Sequence, residues 1–401
     1  MISIDDVVAA RERVAGVLRR TPLEVSDSLS RLAGRRVLLK PEHLQRTGSF
    51  KIRGAYNLIS QLDAGVAVVA ASAGNHAQGV ALAAALTGRA ATIFMPANAP
   101  LPKVDATRAY GATVRLEGDT VDDCLVTAKA FAGEHGSVFV PPFDDPAIVA
   151  GQGTIGLELA EEAQDDLDVV VVPVGGGGLV SGIAVALAAM RPGVRVVGVE
   201  AEGAAAMSRS VTEGECVTLD HVATMADGIA LKAACSLTFE HVRELVDDVV
   251  TVTEEEISRA VLLLLERAKA VVEPAGAVGL AAVLAGRVGG PAGAPAAVVL
   301  SGGNVDPLLL MKLIDHGLSA AGRYLILRIV IGDRPGALAG LTSAVADLGL
   351  NVLEVEHHRS GMTLGIGEVE VLLTLETRDP DHREQTVAAL RRRGYQVVLV
   401  R

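Results

Sequence analysis

Short apolar runs alternate with Ala- and Leu-rich stretches from the N-terminus to about residue 320. The runs at residues 66–70, 92–95, 168–174, 194–200 and 296–300 each meet a Gly, Pro or Ser within a few residues. A continuous apolar run stopped by turn residues marks a strand buried on both faces. The stretches between them, such as those after Gly74 and Gly178, read as helices. This alternation predicts an α/β fold with open parallel sheets. No tandem repeat interrupts it.

The pattern changes near Ala320-Ala321-Gly322. Beyond it, residues 324–331 alternate as a strand, and Asp333-Arg334-Pro335-Gly336 forms a turn. Pro335 is expected at the first position of a helix, where its missing N–H costs nothing. That helix runs to Leu348, with Gly349 closing it. Strands at 352–357 and 368–374, a helix at 382–393 and a strand at 396–400 complete the order βαββαβ, the ferredoxin-like pattern. The expected domains are therefore 1–320, with about 48–150 as its smaller subdomain, and 321–401.

Composition narrows the function classes. The 401 residues are half hydrophobic and 21% charged, which fits globular domains with cores of their own. Trp is absent and aromatics make up 2%, so the aromatic platforms of single-stranded nucleic-acid binding are missing. The net charge of -12 also argues against nucleic acid, which is met by basic patches. Arg391-Arg392-Arg393 reads as a solvated helix face. Cys124, Cys216 and Cys235 are odd in number and far apart, which suggests neither a disulfide framework nor a zinc site. The N-terminus carries Asp5 and Asp6 rather than a signal peptide, and no apolar stretch approaches a membrane span. A cytoplasmic protein without membrane contact is expected.

Four segments carry candidate chemistry. Lys51, in Gly48-Ser49-Phe50-Lys51-Ile52-Arg53-Gly54-Ala55, is one of seven lysines and the one set in a Gly/Ser-framed motif. A lysine nucleophile must be neutral, so burial or neighbouring cations must lower its pKa. Gly175-Gly176-Gly177-Gly178 joins a strand to a helix, a place where free N–H groups and the helix dipole favour a phosphate. Ala71 to Asn75 makes a similar turn whose hydroxyl, amide and backbone suit a carboxylate. Ser301-Gly302-Gly303-Asn304 follows a further strand, and a serine hydroxyl there suits an unprotonated pyridine nitrogen. Ligands of open α/β sheets lie at the carboxyl ends of strands, where these turns fall. Taken singly, each has a bland reading: a surface lysine, a tight turn or a loop cap. Together they make the parts of a pyridoxal 5'-phosphate (PLP) site, with a Schiff-base lysine, anion cradles and a ring-nitrogen partner. His357 and His358 are adjacent, so on a strand they face opposite ways. The acidic pairs Asp122-Asp123 and Glu161-Glu162 read as helix faces or caps, and no metal site is expected.

These motifs, with Lys40-Pro41-Glu42, Asp227-Gly228-Ile229-Ala230 and Val272-Glu273-Pro274-Ala275-Gly276-Ala277, make the chain to about Leu318 resemble the fold-type II PLP enzymes. The likeness is to threonine dehydratases (threonine ammonia-lyases) and their serine dehydratase and serine racemase relatives. The resemblance implies that Lys51 bonds the cofactor and is the catalytic residue. It implies cofactor contacts from Phe50, Asn75, Gly175, Gly176, Gly177, Gly178, Leu179 and Ser301. Ser72, Gly74, Asn75 and His76 would gather the substrate carboxylate. The tail resembles an ACT regulatory domain through Asp333-Arg334-Pro335-Gly336-Ala337-Leu338 and Gly349-Leu350-Asn351-Val352. Gly336, Ala337, Leu338, Asn351 and Val352 would then face an effector such as isoleucine or valine, in a homodimer or homotetramer.

Two departures shape the expectation. Serine racemases carry a serine where Ala73 stands here, and that serine is their acid/base on the second face. Elimination is therefore expected over racemisation. Relatives with a divalent cation use a carboxylate pair after the strand ending at Glu200, and the second position here is Ala206. The resemblance thus implies a PLP-dependent, ACT-regulated deamination of L-threonine, and of L-serine, in amino-acid metabolism such as isoleucine biosynthesis. The alternatives are a serine racemase or serine dehydratase, and an amino-acid sensor without turnover. The tail also has the alternative of a dimerisation module alone.

Overall fold

Val169–Pro173 is buried at every position, as a strand covered on both faces must be. It lies inside a six-stranded sheet in the order Glu24–Val25, Val37–Lys40, Ala296–Val299, Val169–Pro173, Arg195–Ala201 and Asp248–Val252. Every pairing is parallel except the first, an antiparallel edge. A second sheet runs Thr113–Leu116, Ala91–Met95, Val68–Ala71 and Val138–Phe139, all parallel. The computed structural model describes residues 1–164, 166–320, 323–359 and 364–400.

The two sheets meet through helices. Lys51–Ile59 and Asn75–Leu86 bury their apolar faces in the core of the smaller sheet, with Ile52, Ala55, Ala77 and Val80 fully enclosed. Pro146–Glu162 packs against both Lys51–Ile59 and Gly178–Met190. The approach is close: a Cβ on Gly151 would lie 2.6 Å from the Arg53 carbonyl oxygen. Arg53, within the same helix contact, is fully buried. It grips Glu42 with two hydrogen bonds of 2.8 and 2.7 Å and reaches Glu158 at 2.6 Å. Lys40 meets the other oxygen of Glu158 at 2.8 Å. A buried ionic cluster thus ties the Lys51 helix to Pro146–Glu162.

Contacts divide the chain into two units, Met1–Asp306 and Pro307–Arg401. The boundary read from the sequence lies at the other end of the helix Pro307–Ala320. In the second unit the antiparallel sheet runs Asn351–His358, Glu368–Glu376, Tyr324–Gly332 and Gln396–Leu399. With the helices Ala337–Ala346 and Pro380–Arg392, the order is βαββαβ. Leu325, Leu327, Ile329 and Ile331 point alternately into the core, the period-two signal of a strand with one wet face. Pro335 stands before the helix rather than at its first position. Gly336 caps that helix at φ 87°, a conformation open to glycine at little cost. Among the described residues no helix is long and apolar enough to cross a membrane.

Candidate active site

The carboxyl ends of Val68–Ala71, Val169–Pro173 and Ala296–Val299 open onto one cavity of about 560 Å³. Lys51, Asn75, Glu273 and Ser301 line it, as do Ser72, Gly74, His76 and the whole turn from Gly175 to Leu179. The expected catalytic, cofactor and carboxylate residues of the first unit are therefore brought together, although 250 positions separate Lys51 from Ser301 in sequence.

Two loops are zipped to make this possible. The Phe50 N–H donates to the Ser301 carbonyl at 3.1 Å, and the Gly303 N–H to that of Gly48 at 2.9 Å. Lys51, the first residue of its helix, is thereby held beside Ser301. Its Nζ donates to the Pro142 carbonyl at 3.0 Å. Burial lowers the Lys51 pKa to about 8, against an upward pull from the Glu273 carboxylate. The amine is thus far easier to deprotonate than a surface lysine.

Gly177 caps the helix Gly178–Met190 from the left-handed region at φ 83°, with no side-chain cap. The first N–H groups of the helix consequently keep their donors free of side chains. A Cβ on Gly176 would run into the Phe143 ring, and one on Gly175 would sit 2.9 Å from the Ile229 Cα. This bare, glycine-only helix entry has the form and polarity of a phosphate cradle. Leu179 follows it, almost wholly buried. The cradle, the buried amine and Ser301 in one cavity fit PLP. Gly175 to Gly178 and Leu179 would hold its phosphate, Lys51 its aldehyde carbon and Ser301 its ring nitrogen.

Asn75 is fixed at both ends. Its Nδ2 donates to Glu273 Oε1 at 2.6 Å, and its Oδ1 accepts from Asn304 Nδ2 at 2.7 Å. One amide hydrogen remains for a ligand. Asn75 and His76 open the helix Asn75–Leu86, whose N-cap Gly74 makes no side-chain capping bond. The Gly74 N–H itself donates to Ser72 Oγ at 3.1 Å. The His76 ring is buried and its Nε2 lies 2.9 Å from the Val140 carbonyl, so that nitrogen carries the proton. Burial, then the Lys51 charge, push its pKa down to about 3. What His76 offers a carboxylate is therefore its backbone at the positive end of a helix, together with a neutral ring.

Glu273 was not among the site residues read from the sequence. Burial, followed by the Asp227 charge, raises its pKa to about 7, while Asn75, Lys103 and Lys51 pull it down. Gly302 makes room for it, because a Cβ there would strike Oε1. Its signal was an acidic residue leading straight into the wholly apolar helix Pro274–Leu284, where its side chain caps no N–H. The Lys103–Asp227 ion pair, at 2.6 Å, was also missed. It links the helix Leu101–Ala109 of the smaller sheet to the turn Asp227–Ile229 at the cavity wall. Glu200 is buried, and its carboxylate accepts from the Met207 and Ser208 N–H groups at 2.9 and 2.8 Å. It closes a helix start.

The second unit has its own cavity, of about 540 Å³, which Arg334, Gly336, Ala337, Gly340 and Tyr395 help to line. Of the expected effector residues, Gly336 and Ala337 face it. Leu338 and Val352 instead pack on the core, and Asn351 is exposed, its Nδ2 3.5 Å from Glu376 Oε2.

Comparison with known proteins agrees with this geometry. Residues 14–302 match the family described as pyridoxal-phosphate dependent enzyme, and residues 325–394 match the ACT domain. An L-threonine ammonia-lyase of Thermotoga maritima is 48% identical over 403 residues, spanning 100% of both chains. A solved threonine deaminase from T.th. is 44% identical with a TM-score of 0.72, covering 76% of this chain and 99% of its own. Maize serine racemase is 37% identical with a TM-score of 0.74, covering 79% of this chain and 98% of its own.

Proposed function

The chain belongs to the pyridoxal-phosphate dependent enzyme family and carries an ACT domain, and from that premise we propose that it deaminates L-threonine to 2-oxobutanoate and ammonia, with L-serine as a second substrate. The observation that carries this reading is the buried, easily neutralised Lys51 amine in one cavity with a bare helix entry and Ser301. Full-length similarity to an L-threonine ammonia-lyase supports the choice of reaction.

PLP, when bound, supplies the electron sink that makes the substrate Cα–H acidic. The chain supplies the rest. Ser72 Oγ and the first N–H groups of Asn75–Leu86 bind the substrate carboxylate, with the helix dipole in favour. Asn75, locked between Glu273 and Asn304, presents its remaining N–H without further ordering cost. Lys51 Nζ, neutral, takes the Cα proton as general base. The β-hydroxyl then leaves, and the released enamine hydrolyses in water. Ala73 offers no proton on the opposite face, which favours elimination over racemisation. Serine racemisation is the second reading, supported by the likeness to maize serine racemase.

The ACT domain makes amino-acid regulation the natural role of the second unit. An effector such as isoleucine or valine would bind near Gly336 and Ala337, in a homodimer or homotetramer acting in the cytoplasm. The test is direct. Purified protein with PLP is given L-threonine, then L-serine, and 2-oxoacid and D-serine are measured. Production of 2-oxobutanoate supports the proposal. D-serine exceeding pyruvate from L-serine would replace it with the racemase, and absence of both products would leave a sensor.

A further inference from the structure

Both hydrogens of the Asn304 amide are committed. Its Nδ2 donates at 2.7 Å to the Thr47 carbonyl and at 2.7 Å to Asn75 Oδ1. One side chain therefore touches both the turn that leads to Lys51 and the residue that offers a spare N–H to the cavity. A primary amide can turn either end to a neighbour, and a carboxyl such as Glu273 can accept or, once protonated, donate. A backbone carbonyl can only accept. In the row Thr47, Asn304, Asn75 and Glu273, Thr47 is thus the member whose role never changes. It holds Asn304 with Nδ2 facing it, and the other hydrogen of that Nδ2 faces Asn75 Oδ1. The Nδ2 of Asn75 is then left toward the cavity and toward Glu273 Oε1, at 2.6 Å.

The Thr47 carbonyl belongs to the peptide group between two residues in the left-handed region, Thr47 at φ 72° and Gly48 at φ 70°. Gly48 takes this conformation at little cost, and a Cβ on it would lie 2.5 Å from Asn304 Oδ1. Thr47 does not, because a β-branched residue is strained there and stays only where its surroundings impose it. The Thr47 side chain is buried, yet its Oγ1 has no hydrogen-bond partner among the described residues, so the hydroxyl does not hold the turn. The Asn304 bond to the Thr47 carbonyl does, beside the Gly303 N–H on the Gly48 carbonyl at 2.9 Å. Resting on the PLP reading, we propose that Asn304 is a positioning residue with two tasks. It passes the fixed polarity of the Thr47 carbonyl to Asn75, so that Asn75 presents a donor to the cofactor whatever the charge on Glu273. It also holds the turn from which the Lys51 helix starts.

The test uses the full-length protein with PLP. Asn304→Leu keeps the branched shape and removes the donor. Its Kd for PLP is expected to rise about tenfold or more. The visible absorbance of the bound cofactor should titrate at higher pH than in the parent, because an anionic oxygen on it loses a donor. Asn304→Ala should match Asn304→Leu in both respects. Adding Thr47→Gly to Asn304→Ala should recover part of the affinity, since glycine takes the left-handed turn unaided, but none of the pH shift. Parent-like behaviour of Asn304→Leu would show that Asn304 only fills space, and would overturn the proposal. Weaker binding with an unmoved titration would overturn the orientation of Asn75, and no recovery from Thr47→Gly would overturn the hold on the turn. Where a variant does not fold, the parent decides. With isotope-labelled asparagine, both Asn304 side-chain hydrogens should exchange slowly with solvent, with or without PLP, and rapid exchange would overturn the row. A parent that takes up no PLP would sink the cofactor reading instead, and the Asn304 exchange would still judge the row.

Discussion

Lys51 is under two opposed influences: burial pulls its pKa down to about 8, and the Glu273 carboxylate pulls it up. Glu273→Gln removes the upward pull while keeping an oxygen for the Asn75 amide. The Lys51 pKa should fall, and more of the amine should be neutral at pH 7. PLP uptake by the cofactor-free protein, followed by visible absorbance across pH, should therefore have its acid limb moved to lower pH. An unmoved limb would show that Glu273 does not set the charge of Lys51. Lys51→Ala should lower turnover by about 10³-fold or more, since general-base action alone contributes roughly 10²–10⁴. Retained turnover would remove Lys51 from the chemistry. His76 needs no such test on the acid side, because its ring stays neutral down to about pH 3.

Lys51 is only as well placed as the helix it starts. Arg53, two residues on, holds that helix to Glu42 and to Glu158 on Pro146–Glu162. Arg53→Ala would strand a wholly buried carboxylate, and breaking such a pair costs about 3–5 kcal/mol. Denaturant unfolding at pH 7 should register that loss. Burial alone would raise the Glu42 pKa, but the Arg53 charge and hydrogen bonds outweigh it and hold the value below the ordinary range. A depressed carboxyl pKa gives stability that is present above the unfolded value and lost as pH falls through the folded one. The gap between parent and Arg53→Ala should therefore narrow in acid, and a constant gap would refute the ionic account. Glycine-turn geometry gives a second test at this scale. Gly176→Ala puts a Cβ into the Phe143 ring. The Kd for PLP should rise about tenfold or more, about 1.4 kcal/mol, and adding Phe143→Ala should recover part of it. Unchanged affinity would mean that the turn is not the phosphate cradle.

For the whole molecule, the question is what the second unit contributes. The threonine deaminase from T.th. matches over 99% of its own length while covering 76% of this chain, so a catalytic unit of this kind exists without the tail. Removing residues 323–401 should leave threonine turnover within about threefold, a change below 1 kcal/mol, and abolish any response to isoleucine or valine. Allostery requires a second site whose ligand distinguishes two states. An unaltered effector response in the truncated protein would defeat regulation through the ACT domain. Size-exclusion chromatography with light scattering, on both forms, would show whether the tail also pairs chains.

The sequence by itself determined the elements and the family. Apolar runs at 169–173 and 296–299 read as buried strands, and 324–332 reads as a half-wet one, because strand burial is written in hydrophobic period. The Lys51, Asn75, Gly175–Gly178 and Ser301 motifs were legible because their chemistry needs fixed residue types beside strand ends. Helix starts were less so: Pro335 was expected at the first helical position, which Ala337 takes two residues later, since Gly336 is the left-handed cap. Only the tertiary structure decided which distant residues meet. Glu273 becomes an active-site carboxyl by being buried beside Asn75, and Lys103 pairs with Asp227 across two sheets. Hydrophobic periodicity records how deeply a residue is buried but not which residue lies against it, and these contacts depend on the second kind of information.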